Sequence, residues 1–250
     1  MQLFSIRFVL LAFLLSTQSA FANRPNILFI CTDDQAPWGA GFTGNKDAHT
    51  PNLDKLRSEG AWLTNSFTVT PVCSPSRAAL LSSRYPSELG INDWIRPDEK
   101  HGLDPALPTW PLLLQQAGYQ TGLVGKWHVG HTPERHPTKL GYGYFMGLLT
   151  GGVSTKDPQL EKDGKSQKFS GLTEDIFTDH ALEFIRSNRS RPFALSLHYR
   201  APHTAYLPVS EDDAAHLRDK KLTLPNYPDL DEKKVENNMR AYLSSIACVD

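Results

Sequence analysis

The chain has 250 residues, 26 Lys and Arg against 27 Asp and Glu, and a formal net charge of −1. Such a balance argues against a nucleic-acid binder, which needs a basic face to neutralise phosphates, so any anion site must be built from a few local cations. Three cysteines (Cys31, Cys73, Cys248) do not make a disulfide framework in a chain this long, and Cys31 and Cys248 read as buried apolar residues.

The first 22 residues predict a secretory signal peptide. Arg7 precedes an apolar core (Phe8 to Leu15), and Ala20-Phe21-Ala22 offers a small-residue cleavage site before Asn23. The apolar core falls short of the ~20 residues that span a bilayer, and no later stretch is long and apolar enough. The expected product is exported, periplasmic or secreted, with no membrane partner. Removal of this segment takes away Arg7 and no acid, leaving a net charge of −2. The remaining chain, 23–250, suffices for one sizeable α/β core.

Asn26 to Thr32 is continuously apolar, as expected of a parallel strand buried on both faces, and it ends in Asp33-Asp34. Thr50-Pro51 offers a cap and a first-turn proline for a helix through about Glu59, stopped by Gly60. Residues 61–69 read as a strand that delivers the chain to Cys73. Pro75 is tolerated in a first helical turn, which places Cys73 at or just before the N-terminus of a helix running through Ser82. Thr109 caps a helix that stops at Gly118, and Thr121 to Val124 forms the next strand. Thr173 caps another helix, with Ile176, Phe177, Ala181, Leu182, Phe184 and Ile185 apolar. Residues 192–199 form a strand leading into Pro202-His203, and the last segment, from about Glu232, is helical. Strands alternating with helices predict a layered α/β fold with a mostly parallel or mixed sheet and helices on both faces. No capping sequence ends the final helix, and Leu243, Ile246 and Val249 are expected to lack a following element to pack against. The chain therefore reads as the N-terminal portion of a longer domain.

Chemistry concentrates at a few points. Cys73, at a helix start, meets free N–H groups and the positive end of the helix dipole, and Arg77, one turn in, adds a fixed cation. Asp33 and Asp34, where a buried strand surfaces, are hard oxygen ligands placed to hold Ca²⁺ or Mg²⁺. Lys126 and His128, in Gly125-Lys126-Trp127-His128, share one side if the segment stays extended. There the lysine offers a point charge and the histidine a proton carrier. His203 stands at the end of a strand, and Ser154 lies in a Gly-rich loop.

The string Cys73-Ser74-Pro75-Ser76-Arg77 resembles the C-x-P-S-R signature of the type I sulfatases, and Gly125 to Gly130 resembles that family's second signature. The Asp pair and the Pro-His segment occur in the same order over 25–250. This resemblance implies an alkaline-phosphatase-like fold and hydrolysis of sulfate esters, on carbohydrate or aryl substrates. It implies oxidation of Cys73 to formylglycine by a formylglycine-generating enzyme, and a divalent metal, usually Ca²⁺, at Asp33, Asp34 and position 73. In the implied site Arg77 and Lys126 offset negative charge, and Lys126, Ser154 and His203 contact the sulfate. His203 protonates the leaving oxygen, and His128 takes a proton during sulfate release. Family members are longer and carry a second metal-binding pair and another lysine beyond the matched region. A formylglycine-dependent phosphodiesterase or phosphonate hydrolase would use the same motifs, and a chain lacking the second metal half could serve only as a glycan binder.

Overall fold

The computed structural model describes residues 24–250; the expected signal peptide lies outside the described residues, and among the described residues no helix is long and apolar enough to cross a membrane. Six strands form one mixed sheet: β1 (Ile27–Cys31), β2 (Gln120–Lys126), β3 (Tyr144–Leu148), β4 (Gln159–Lys162), β5 (Lys165–Lys168) and β6 (Phe193–His198). Their order is β1-β6-β2-β3-β4-β5. The first four in that order are parallel, and β4 and β5 close the far edge as an antiparallel hairpin. Among the described residues, seven α-helices accompany the sheet: α1 (Pro51–Glu59), α2 (Cys73–Ser82), α3 (Pro86–Leu89), α4 (Trp110–Gln116), α5 (Thr173–Asn188), α6 (Glu211–Ala215) and α7 (Glu232–Ala247).

Side-chain alternation along the central strands divides the core between two faces. Val124 joins Met146, Leu195 and Leu197 beneath Ile176, Phe177 and Phe184 of α5. Its neighbour Leu123 points the other way, into a cluster with Ala78 and Leu81 of α2, Trp127 and Tyr142. Helices therefore cover both faces, as the sequence pattern predicts. Register also matters: Cys31 and Gly125 both pair with His198, so β1, β6 and β2 end together and their following residues meet at one edge.

Several expectations are corrected. β1 is an edge strand and not doubly buried; Leu28 and Ile30 are 47% and 51% exposed, because only β6 flanks it. Residues 61–69 form no strand: Trp62, Leu63, Phe67 and Val69 are all exposed, and the segment pairs with no strand of the sheet. Thr173 is the first residue of α5 and not its cap, which is Leu172. Thr50 does flank α1, but its hydroxyl bonds Gly41 and Asp54 while the Asp250 carboxylate accepts from the N–H groups of Asn52 and Leu53 (2.9 and 2.8 Å). Cys31 and Cys248 are half-buried free thiols.

The largest correction concerns α7. Leu243 and Ile246 are buried with Leu217, Leu222 and Tyr242, and Val249 packs against the α5 side of the sheet. What covers them is the preceding irregular segment, which carries no helical or strand period to announce it. Through Tyr242 this helix reaches the sheet edge: the phenol accepts from Ala36 N–H (2.6 Å) and donates to the Asp34 carbonyl (2.9 Å).

Candidate active site

Cys73 is the first residue of α2, behind the extended Val72, and Pro75 is third, where its missing N–H still falls among the four unpaired donors of a helix start. Cys73, Ser76 and Arg77 share a face at i, i+3 and i+4. They line, with Asp33 and Asp34, a cleft of about 1040 Å³ beyond the ends of the parallel strands. Ser74, turned inward, accepts from the N–H of Ile95 (3.0 Å).

Charge organises the floor of the cleft. Asp33 is buried, its N–H donating to Ala201 O (3.2 Å) and its carboxylate held by the Lys126 ammonium, with the Arg77 guanidinium 3.6 Å away. Burial by itself would raise the Asp33 carboxyl; Arg77 and Lys126 outweigh it and hold the group below the usual carboxylate range. Two buried cations against one buried carboxylate leave the floor net positive, a suitable partner for an anion. Arg77 is fixed further by its NH1, which donates to Lys126 O (2.9 Å) and lies 3.1 Å from Nδ1 of His198.

His198 is the residue that sequence reasoning misses. It ends β6, is buried against the edge of Phe29, and its Nδ1 also lies 3.1 Å from Lys126 O. Burial first, then the Arg77 cation, push its imidazole down to about 3, so it stays neutral. The available signal was position: like Asp33, it stands where an apolar strand reaches its C-terminal end.

His128 departs from the extended reading. β2 stops at Lys126, and His128 adopts a left-handed backbone (φ 56°). Its Nε2 lies 3.0 Å from the carbonyl of Ile95, the residue whose N–H bonds Ser74, so Ile95 links the two signature segments. A carbonyl only accepts, which puts the proton on Nε2 and leaves the buried, unpartnered Nδ1 with a lone pair. Burial, followed by Lys126, lowers this imidazole to about 4. Gly151 lies against the ring: a Cβ there would fall 2.6 Å from Cε1.

His203 stands on the loop after β6. Its Nδ1 donates to Thr204 O (2.6 Å), and its Nε2 faces the exposed Asp34 carboxylate at 3.7 Å. Ser154 spends its hydroxyl on Lys156 O (2.6 Å) and, like the buried Lys126 and His128 and the loop residue His203, does not line the cleft. The structure therefore brings together Cys73, Arg77, Lys126, Asp33 and Asp34, with His203 beside Asp34.

The donor set suits a hard cation in kind and not in number. Asp33 and Asp34 offer carboxylate oxygens at one edge of the cleft, and Lys126 already neutralises Asp33 as a cation would. Ca²⁺ takes six to eight oxygens. Among the described residues no group of three or more His, Cys, Asp or Glu converges to hold a metal ion. The chain supplies part of a ligand shell.

Fold and site define an α/β protein with a positively charged anion pocket at the ends of its parallel strands. The sulfatase family model matches residues 25–250, and the chain belongs to the sulfatase family. It is 33% identical over 196 residues to an N-acetylglucosamine-6-O-sulfatase of Bacteroides thetaiotaomicron, covering 77% of this chain and 33% of that protein. It is 39% identical over 224 residues to the human N-acetylgalactosamine-6-sulfatase, covering 76% of this chain and 41% of that one. Among solved structures, Ps i-CgsB in complex with k-i-k-neocarrahexaose superposes with a TM-score of 0.80 at 29% identity, over 91% of this chain and 52% of the other. A structure in complex with its substrate D-glucosamine-2-N,6-O-disulfate superposes with a TM-score of 0.68 at 31% identity, over 79% and 38%. The chain thus spans about half, or less, of the length of these relatives.

Proposed function

We propose that this chain carries the nucleophile half of an exported sulfuric ester hydrolase acting on sulfated carbohydrates. The observation that carries the reading is the placement of Cys73 at the start of α2, in a cleft whose floor holds Asp33 between Arg77 and Lys126. Oxidised to formylglycine and hydrated, position 73 offers a hydroxyl to the sulfur of a sulfate ester. A divalent cation, Ca²⁺ by family resemblance, would be held by Asp33 and Asp34 together with position 73 and would supply Lewis-acid polarisation.

The chain's own residues account for charge and protons. Arg77, anchored through NH1 on Lys126 O, faces the negative charge of the sulfate, and the fully buried Lys126 ammonium adds positive charge behind Asp33. As the ester S–O bond breaks, the leaving oxygen takes the Nε2 proton of His203 in its imidazolium form, in which Nδ1–H stays bonded to Thr204 O and Nε2–H lies on the side of Asp34. The remaining hydroxyl at position 73 gives its proton to Nδ1 of His128, which is buried and unpartnered; its oxygen becomes the carbonyl of the regenerated aldehyde as the C–O bond to sulfate breaks and sulfate departs. The two hexosamine-6-sulfatase relatives support a sulfated glycan as the substrate class.

The test is coexpression with a formylglycine-generating enzyme, peptide mass spectrometry at residue 73, and turnover of sulfate against phosphate esters. Aldehyde at position 73 and preference for sulfate are expected. An alkylatable thiol at Cys73 throughout removes the proposed nucleophile, and faster phosphate ester turnover assigns the site to the phosphoryl branch.

A further inference from the structure

Two buried charged residues outside the cleft converge on the loop that carries His203. Glu174, in the first turn of α5, is 6% exposed, and its carboxylate accepts from the N–H groups of Arg200 (3.3 Å) and Ala201 (3.0 Å). Arg200, 2% exposed, has its Nε 3.6 Å from the same carboxylate and donates through NH1 to His203 O (2.7 Å) and through NH2 to Ala205 O (2.9 Å). The loop closes on itself through His203 N–H to Arg200 O (3.0 Å), and Ala201 O holds the N–H of Asp33.

We infer that Glu174 and Arg200 act as positioning residues that fix the His203 imidazole beside Asp34 at the margin of the cleft. A buried ion pair contributes little net stability compared with an apolar pair of the same volume. Apolar side chains, however, could not hold four backbone groups of one loop. Glu174 grips the loop where it leaves β6, and the planar fork of Arg200 grips it on both sides of Thr204, the residue whose carbonyl orients His203 Nδ1. Because α5 is docked on the sheet through Ile176 and Phe177, the clamp transmits the rigidity of the core to a half-exposed histidine. The consequence for chemistry rests on the reading of His203 as proton donor to the leaving oxygen.

Arg200→Lys keeps the charge opposite Glu174 but cannot span both carbonyls; Glu174→Gln keeps one acceptor and loses the other. The first readout needs no turnover: the rate at which diethyl pyrocarbonate modifies each histidine of the full chain, resolved by peptide mass spectrometry. We expect His203 to react several-fold faster in either variant, with His136 and His180 unchanged. Equal acceleration at all histidines, or none at His203, overturns the inference. If Glu174→Gln does not fold, Arg200→Lys decides alone. The second readout uses enzyme bearing formylglycine and metal, with metal content measured, and compares a sugar sulfate with 4-nitrophenyl sulfate, whose leaving group needs no proton. Arg200→Lys should lose at least about tenfold more rate on the sugar sulfate, as should His203→Ala. Selectivity in His203→Ala but uniform loss in Arg200→Lys sinks the positioning role alone. Uniform loss in His203→Ala refutes the proton-donor reading on which the catalytic consequence rests.

Discussion

The Lys126 ammonium has no contact with solvent and its partner Asp33 is 5% exposed, so each is tolerable only because of the other. Replacing Lys126 by Met should leave the buried Asp33 with Arg77 alone at 3.6 Å and cost about 3–5 kcal/mol, whereas Asp33→Asn with Lys126→Met should recover much of that loss. Urea unfolding of the metal-free chain measures the cycle; single variants within about 1 kcal/mol of wild type would show that the pair is not coupled. Residues of this kind differ in how far they could be read from sequence. Cys73, Arg77 and the Asp pair were legible because their meaning is local: a helix start, one turn, a strand end. His198 was not, since its partners arrive from two other strands and a helix and only strand register puts them within reach. The left-handed turn at His128 was equally hidden, because it depends on Ile95 as an acceptor 33 residues away.

Among the elements, β2, β3 and β6 are held at a spacing that two glycines permit. A Cβ on Gly125 (φ 109°) would lie 1.9 Å from His198 O, and one on Gly147 (φ 155°) would lie 1.9 Å from Gly125 O. Neither obstacle is a flexible side chain; both are strand backbone. Gly125→Ala should therefore separate β2 from β6 just where Lys126 and His198 meet, with a loss above about 3 kcal/mol or failure to fold. Gly152→Ala, with no atom within 4 Å and no left-handed backbone, should melt within a degree or two of wild type. Similar melting temperatures for the two variants would contradict this account of the strand junction. The same scale explains which elements sequence reasoning reached. Strands β2 and β6 and helices α4 and α5 carry apolar runs or periods with turn signals at their ends. The β4–β5 hairpin does not: Lys165–Lys168 is exposed throughout, so its pairing is set by the Asp163-Gly164 turn and not by an apolar face. Residues 61–69 err the other way, with strand-like residues that pair with no strand of the sheet.

For the whole molecule, the buried titratable groups fix how stability varies with pH. The imidazoles of His128 and His198 are lowered to about 4 and about 3, by burial and then by Lys126 and Arg77 respectively. Glu174 is raised to about 7, chiefly by burial. Below the ordinary histidine value of 6.5 the unfolded chain binds two protons at these histidines that the folded chain refuses, so their contribution to stability is lost as pH falls. Glu174 has the opposite sign: the folded state takes its proton near pH 7, the unfolded state only near 4.5. Between pH 6.5 and 4.5 the difference is thus one proton, a stability slope of about 1.4 kcal/mol per pH unit. Below 4.5 Glu174 is protonated in both states, so the two histidines contribute about 2.7 kcal/mol per unit until His128 titrates in the fold, and the lowered Asp33 carboxyl adds to that loss in the same direction. His198→Asn keeps a donor near Lys126 O but removes one titration, so its stability should be nearly flat between pH 6.5 and 4.5. Denaturant titrations of the metal-free chain at half-unit pH intervals measure both curves. A wild-type profile without the break near 4.5 would mean that burial does not raise Glu174, and a variant that parallels wild type would mean that His198 is not held neutral inside the fold.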